Sequence, residues 1–211
     1  MSVLDAGCGS GRWALEIAAR RPDWTVHGID RDAAAISQAQ ADACSLGLKN
    51  VSFAVQDFLR FNPSSRFSVI LSVASAHYLV EAGKGKQLFK CFQEWLSPGG
   101  LLVLYGPRRH QEVPQALHLR PLPAHEVFSL ADLEEMCHAA QFECESIHPQ
   151  VGKWGVLAKQ LASHCRSRLQ RLGAYPFEIL LDAVDRVNGP APEASAAWLV
   201  LARQPSRASS L

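Results

Sequence analysis

The sequence predicts an α/β fold, a mostly parallel and doubly wound sheet with helices on both faces. Three observations carry this. Short β-like runs alternate with helical stretches over the first 150 residues, the pattern of successive βαβ units. A glycine-rich turn, Gly7-Cys8-Gly9-Ser10-Gly11, directly follows the first run, where such sheets receive ligands at the carboxyl ends of their strands. The 211 residues are 48% apolar and 19% charged. That is enough apolar mass for a core without disulfides and too much for a disordered chain.

The elements follow in order. Val3 to Ala6 is a short buried strand, and Trp13 to Arg21 is a helix stopped by Pro22. Thr25 to Ile29 is the second strand. Asp32 to Leu46 is an Ala-rich helix with Asp32 as N-cap and Gly47 closing it. Val51 to Val55 and Phe67 to Leu71 are the third and fourth strands. Lys86 to Leu96 gathers Leu88, Phe89, Phe92, Trp95 and Leu96 on one helical face. Pro98-Gly99-Gly100 then turns the chain into a fifth strand, Leu101 to Tyr105. Ser129 to Ala140 is a helix with Asp132 in a capping-box position. Phe142 to Ile147 is a sixth strand and Ala197 to Leu201 a last one. Between them, residues 151–190 break the alternation with two helical stretches, Trp154 to Leu172 and Pro176 to Val187. The whole is expected to be one domain, 1–211, with 151–190 a helical insertion or lid.

Charge and cysteine usage exclude several classes. Twenty-one Lys+Arg against twenty Asp+Glu leave a net charge of +1, so no global field favours nucleic acid or an anionic membrane. No apolar run approaches a membrane span, and the first residues have no basic n-region. Six scattered cysteines make no C-x-x-C pair. They read as thiols in a reducing compartment, with no metal site. A cytoplasmic location is the expectation.

The glycine turn admits two ligands. Gly9-x-Gly11-x-x-Ala14 fits a loose dinucleotide pattern, and Asp30 lies 21 residues after Gly9, so spacing alone leaves NAD open. The other reading is S-adenosylmethionine (SAM), which has no phosphate and is cationic at its sulfonium and its ammonium. Asp5, just before the turn, would repel a pyrophosphate and favour a cation.

Val3-Leu4-Asp5-Ala6-Gly7-Cys8-Gly9-Ser10-Gly11 resembles the first motif of the class I SAM-dependent methyltransferases. The resemblance runs to about residue 149 and resumes near 197–203. It implies a Rossmann-like sheet of seven strands, the last antiparallel. It also implies roles for particular residues. Asp30, with Arg31 beside it, would meet the ribose hydroxyls, and Asp57 and Phe58 would meet the adenine. Gly7 and Gly9 would approach the methionine portion through their backbones. Asp5 would hold the ammonium, and Ser72 would offer it a backbone carbonyl. For Gly11 a pure packing role stands level with ligand contact, and Cys8 reads as a buried filler.

The stretch Ser72 to Leu79 would face the transferred methyl. His77 is the candidate general base, with a structural histidine as the equal alternative, and Tyr78 is a candidate substrate contact. After the fifth strand, Arg108, Arg109 and His110 stand at the expected mouth of the site. The arginines suit an acidic acceptor, and His110 is a second candidate base. His118, Arg120 and His125 extend this polar loop between Pro114, Pro121 and Pro123. Similar enzymes carry one or two helices before the first strand, so 151–190 is the expected substitute lid. Its Trp154, Tyr175, Phe177, Ile179 and Leu180 would line an apolar pocket, pack on the sheet edge or make a dimer contact.

No Asn-Pro-Pro-Tyr-like tetrapeptide follows the fourth strand, which weighs against planar amide or base nitrogens as acceptors. The expected activity is therefore methyl transfer to a small molecule, oxygen or nitrogen before carbon, with a homodimer allowed. The alternatives are an NAD-type oxidoreductase and a SAM-binding subunit without catalysis.

Overall fold

A computed structural model of the chain describes residues 1–107, 129–150 and 197–205. The first strand, β1 (Ser2–Ala6), lies inside the sheet and points successive side chains to opposite faces, and this alternation builds two cores. Val3 packs with Val26 of β2 (Thr25–Asp30), Phe53 of β3 (Val51–Val55), and the alanine-rich faces of α1 (Arg12–Arg20) and α2 (Ala33–Ser45). Leu4 and Ala6 face the other way. They join Ile70 of β4 (Phe67–Val73), Leu102 and Leu104 of β5 (Leu96–Pro107), and α4 (Gly85–Trp95) and α5 (Leu130–Ala139). On α4 the residues Leu88, Phe89, Phe92 and Trp95 are buried on one face. Fully burying a phenylalanine such as Phe89 or Phe92 contributes about 1.5–3 kcal/mol.

Seven strands lie in the order β3-β2-β1-β4-β5-β7-β6, with β6 at Glu143–Gln150 and β7 at Ala197–Arg203. β1 to β5 pair in parallel, and β7 inserts antiparallel to both β5 and β6. The expected seven-stranded sheet with an antiparallel last strand is therefore present. From β1 the chain winds outward to β2 and β3, then returns to start again at β4 on the other side. That reversal opens a crevice at the carboxyl ends of β1 and β4.

Local chemistry sets the helix starts. The Asp32 carboxylate accepts the Ala34 and Ala35 N–H groups and caps α2. Before α5, the Ser129 hydroxyl accepts the Asp132 N–H while the Asp132 carboxylate accepts the Ser129 N–H, a reciprocal box. Replacing Ser129 with alanine should cost about 1 kcal/mol. The change should show as a lower urea midpoint at unchanged slope; an unmoved midpoint would mean the box contributes nothing.

Three elements differ from expectation. β5 begins at Leu96 because Pro98-Gly99-Gly100 forms an irregularity within the strand. The pairing jumps from Phe67–Leu96 to Val69–Leu101, and Gly99 and Gly100 exchange backbone bonds with Gln204. β4 continues through Ser72 and Val73, which pair with Leu104 and Tyr105, so Ser72 lies in the strand and not after it. The residues beyond form a short helix, α3 (His77–Glu81). The expected insertion at 151–190 lies outside the described residues.

Candidate functional site

The site is built from three exits at the carboxyl edge: the turn after β1, the end of β2 and the β4–α3 turn. Asp5, near the end of β1, is 1% exposed, and its Oδ2 accepts the Ala14 N–H of α1 at 3.1 Å. Burial pushes its carboxyl up to about 7; the Ala14 bond opposes this and the nearby Asp30 charge adds to it. Asp30 ends β2. Its Oδ2 accepts the Gly9 N–H at 2.8 Å and its Oδ1 accepts the Asp32 N–H at 3.0 Å. Asp30 thus ties the glycine turn to β2. Each carboxylate oxygen has a further lone pair to offer.

Gly7 (φ 80°) and Gly9 (φ 52°) both occupy the left-handed region. A Cβ on Gly9 would meet nothing within 4 Å, so its backbone faces open space. A Cβ on Gly7 would stand 2.2 Å from Ser75 Cβ and 3.2 Å from Phe58 Cζ. Gly11 serves packing: a Cβ there would lie 2.8 Å from Phe53 Cζ and 2.9 Å from Ala39 Cβ. Cys8 is 9% exposed, and burial pushes its thiol up to about 12, which suits a filler and not a nucleophile.

The two residues expected to meet the adenine stand at the next exit, after β3. Asp57 follows β3, and its Oδ1 accepts the Leu59 N–H at 2.9 Å, which fixes the turn. Phe58 is drawn inward, edge-on to Phe92 at 6.3 Å between ring centroids, with its tip toward Gly7. On the other side, the Ser72 hydroxyl is fully buried and lies 2.9 Å from Ser75 Oγ, which donates to the Ala6 carbonyl at 2.8 Å. Ala74 turns the chain here with φ 52°.

His77 is 4% exposed and its ring centroid lies 4.0 Å from that of Tyr78. Tyr78 is 49% exposed, and the Arg31 guanidinium carbon stands 5.8 Å above its ring. Arg31 follows β2 and Tyr78 follows β4, while β1 lies between those strands. The pair therefore links the two exits that flank the glycine turn. Arg108, Arg109 and His110 lie outside the described residues.

Sequence reasoning missed Ser75 and the Arg31–Tyr78 contact. Ser75 was visible only as one of several small residues after the fourth strand; its partner Ala6 is 69 positions away. Among the described residues, no three or more His, Cys, Asp or Glu side chains gather as metal ligands. No described helix is long and apolar enough to cross a membrane.

This arrangement fits a ligand that is cationic and lacks phosphate. Two carboxylates flank the glycine turn: Asp30 accepts the Gly9 N–H, and Asp5, near the end of β1, accepts the Ala14 N–H on the far side of the turn. A pyrophosphate would add negative charge there, whereas an ammonium or sulfonium would be attracted.

Comparison with known proteins gives the family. The family described as "Methyltransferase domain" matches residues 1–160. Trans-aconitate 2-methyltransferase of Deinococcus radiodurans is 31% identical over 115 residues, 54% of this chain and 41% of that protein. Release factor glutamine methyltransferase of Xylella fastidiosa is 31% identical over 155 residues, 63% of this chain and 56% of that protein. The chain thus spans little more than half, or less, of these curated relatives. A crystal structure of coclaurine N-methyltransferase bound to N-methylheliamine and SAH (S-adenosylhomocysteine) superposes with a TM-score of 0.67 at 17% identity. It covers 96% of this chain and 67% of that one, and at this identity it shows the fold alone. Acceptors named among the relatives range from a small acid to a protein, so the family does not by itself choose one. The family match removes the dinucleotide alternative that glycine spacing had left open, and the chain belongs to the class I S-adenosylmethionine-dependent methyltransferases.

Proposed function

We propose that this protein transfers the methyl group of SAM to a small-molecule acceptor, through oxygen or nitrogen before carbon. The observation that carries the reading is the pair of carboxylates, Asp5 and Asp30, set around an open glycine turn. When bound, SAM supplies a methyl already activated by its sulfonium, so the protein's main task is alignment.

The chain's own residues divide that task. Asp30, with Arg31 beside it, holds the ribose, and Asp57 and Phe58 border the adenine. Asp5, the backbones of Gly7 and Gly9, and the Ser72 carbonyl receive the amino-acid end. His77, on α3 beside Tyr78, takes the proton of a hydroxyl acceptor. Tyr78 forms a wall of the acceptor space. Arg108 and Arg109 anchor an acidic acceptor, and His110 is the second base. A small acceptor is favoured because Ser72-Val73-Ala74-Ser75 stands where an Asn-Pro-Pro-Tyr-like tetrapeptide would serve a planar nitrogen, and because the net charge is only +1. Free thiols at Cys8, Cys44, Cys91 and Cys137 suit the cytoplasm. A homodimer belongs to the same reading and is checked by light scattering.

The test is SAH formation from SAM across a panel of carboxylic acids, phenols and amines. Acceptor-dependent SAH is expected. H77A should lower kcat by roughly 10²- to 10⁴-fold for hydroxyl acceptors and much less for amines, which lose their proton to water. Tight SAM binding without turnover on any acceptor would recast the chain as a non-catalytic SAM-binding subunit. Undiminished turnover by H77A on phenols would remove His77 from catalysis.

A further inference from the structure

We infer that Ser75 reads the amino-acid end of the cofactor, as a hydroxyl locked into accepting only. This rests on the proposed placement of SAM along the turn after β1. The hydrogen-bond directions establish the lock. A backbone carbonyl only accepts, so in the 2.8 Å bond to Ala6 O the proton comes from Ser75 Oγ. A serine hydroxyl has one hydrogen. The 2.9 Å contact with Ser72 Oγ must therefore run from Ser72 to Ser75. The chain reads Ser72 to Ser75 to Ala6, and one lone pair of Ser75 Oγ is left over.

The position of that oxygen is held from several sides. Ser72 is fully buried and cannot rotate out to water. Ser75 Cβ lies 2.2 Å from where a Cβ on Gly7 would stand, so the side chain sits directly against the glycine turn. Ala74 is held in the left-handed region at φ 52°, and its N–H donates to the Tyr105 carbonyl at 2.7 Å. The β4–α3 turn is thereby pressed toward the turn after β1.

An oxygen that can accept but has no proton to give discriminates between the two charged groups of an amino acid. It attracts an ammonium, which carries only donors, and has nothing to offer a carboxylate. Ser75 would thus add to Asp5 in setting which way the amino-acid end enters. It is a positioning and specificity residue, not a catalytic one.

Calorimetry with SAH and with 5′-methylthioadenosine tests this, because the second ligand keeps the adenosine and lacks the amino acid. S75A retains the Cβ that abuts Gly7 and should bind SAH roughly ten- to a hundredfold more weakly, with 5′-methylthioadenosine unchanged. S75C, nearly isosteric and a poor acceptor, should show the same split and serves if S75A does not fold. Equal losses for both ligands, or no loss for SAH, would overturn the inference. A wild-type protein that binds 5′-methylthioadenosine but gains nothing from the amino-acid end would also overturn it while leaving the adenosine site standing. Failure of the wild type to bind either ligand would overturn the cofactor reading and this inference together.

Discussion

Asp5→Asn should make the unliganded protein more stable at pH 8 and a poorer binder of SAH. The buried Asp5 carboxyl is raised from 3.8 to about 7. Below pH 4 both folded and unfolded chains hold its proton, and burial costs little. Between pH 4 and 7 the unfolded chain releases the proton and the folded chain keeps it, so stability falls as pH rises. Above pH 7 the full penalty applies, roughly 4 kcal/mol from that difference in pKa. Asparagine keeps an oxygen for the Ala14 N–H but brings an amide of its own into a buried place, at about 1–3 kcal/mol. A net gain of about 1–3 kcal/mol at pH 8 remains. SAH affinity should move the other way, weakening roughly ten- to a hundredfold. On the proposed reading, in which Asp5 receives the ammonium, wild-type affinity should also rise with pH through about 7 and then level off, because only the ionised carboxylate attracts a cation. D5N should show no such rise. Chemical denaturation and calorimetry from pH 5 to 9 would check both; a variant that loses stability at pH 8 would contradict the account.

Gly7→Ala should be the most damaging single methyl in the site. Its Cβ would lie 2.2 Å from Ser75 Cβ and 2.4 Å from Ser75 Oγ, and φ 80° is itself unfavourable for alanine. Overpacking and backbone strain together amount to about 2–5 kcal/mol. The Ser75–Ala6 bond must give way, so SAH binding should fall below detection. Gly9→Ala provides the contrast. Nothing stands within 4 Å of its Cβ, so its stability cost should be only about 1–2 kcal/mol from φ, while on the proposed placement of SAM its methyl would intrude on the ligand. Adding Ser75→Gly to Gly7→Ala should recover the overpacking share and not the φ share. Equal thermal midpoints for the two single variants would show that Ser75 is not the obstacle.

Both predictions rest on features that sequence reading reaches unequally. Capping is local, and it is legible: Asp32 and Ser129 stand at the starts of α2 and α5 as their spacing implies. The Val51–Val55 strand is equally plain. The glycine turn, Asp5 and Asp30 are found by motif, since the strand–turn–helix context is contiguous. What stays hidden depends on partners far away in the chain. Pro98-Gly99-Gly100 reads as a turn, and only the bonds to Gln204 make it part of β5. Ser72 reads as a residue after the strand, and only its neighbour Leu104 shows that β4 continues. Ser75 gains its meaning from Ala6, and Arg31 from Tyr78.

The antiparallel β7 has a consequence for how the polypeptide is made. Among the described residues, β6 pairs with the sheet only through β7, which follows it in sequence after a long intervening stretch. During synthesis, β1 to β5 can assemble as their residues emerge. β6 gains its pairing with β7 only once Ala197–Arg203 has left the ribosome and slid between it and β5. The glycine turn and the exits of β1, β2, β3 and β4 around it can therefore take shape before Ala197–Arg203 is made, while the β5–β7–β6 edge closes afterwards.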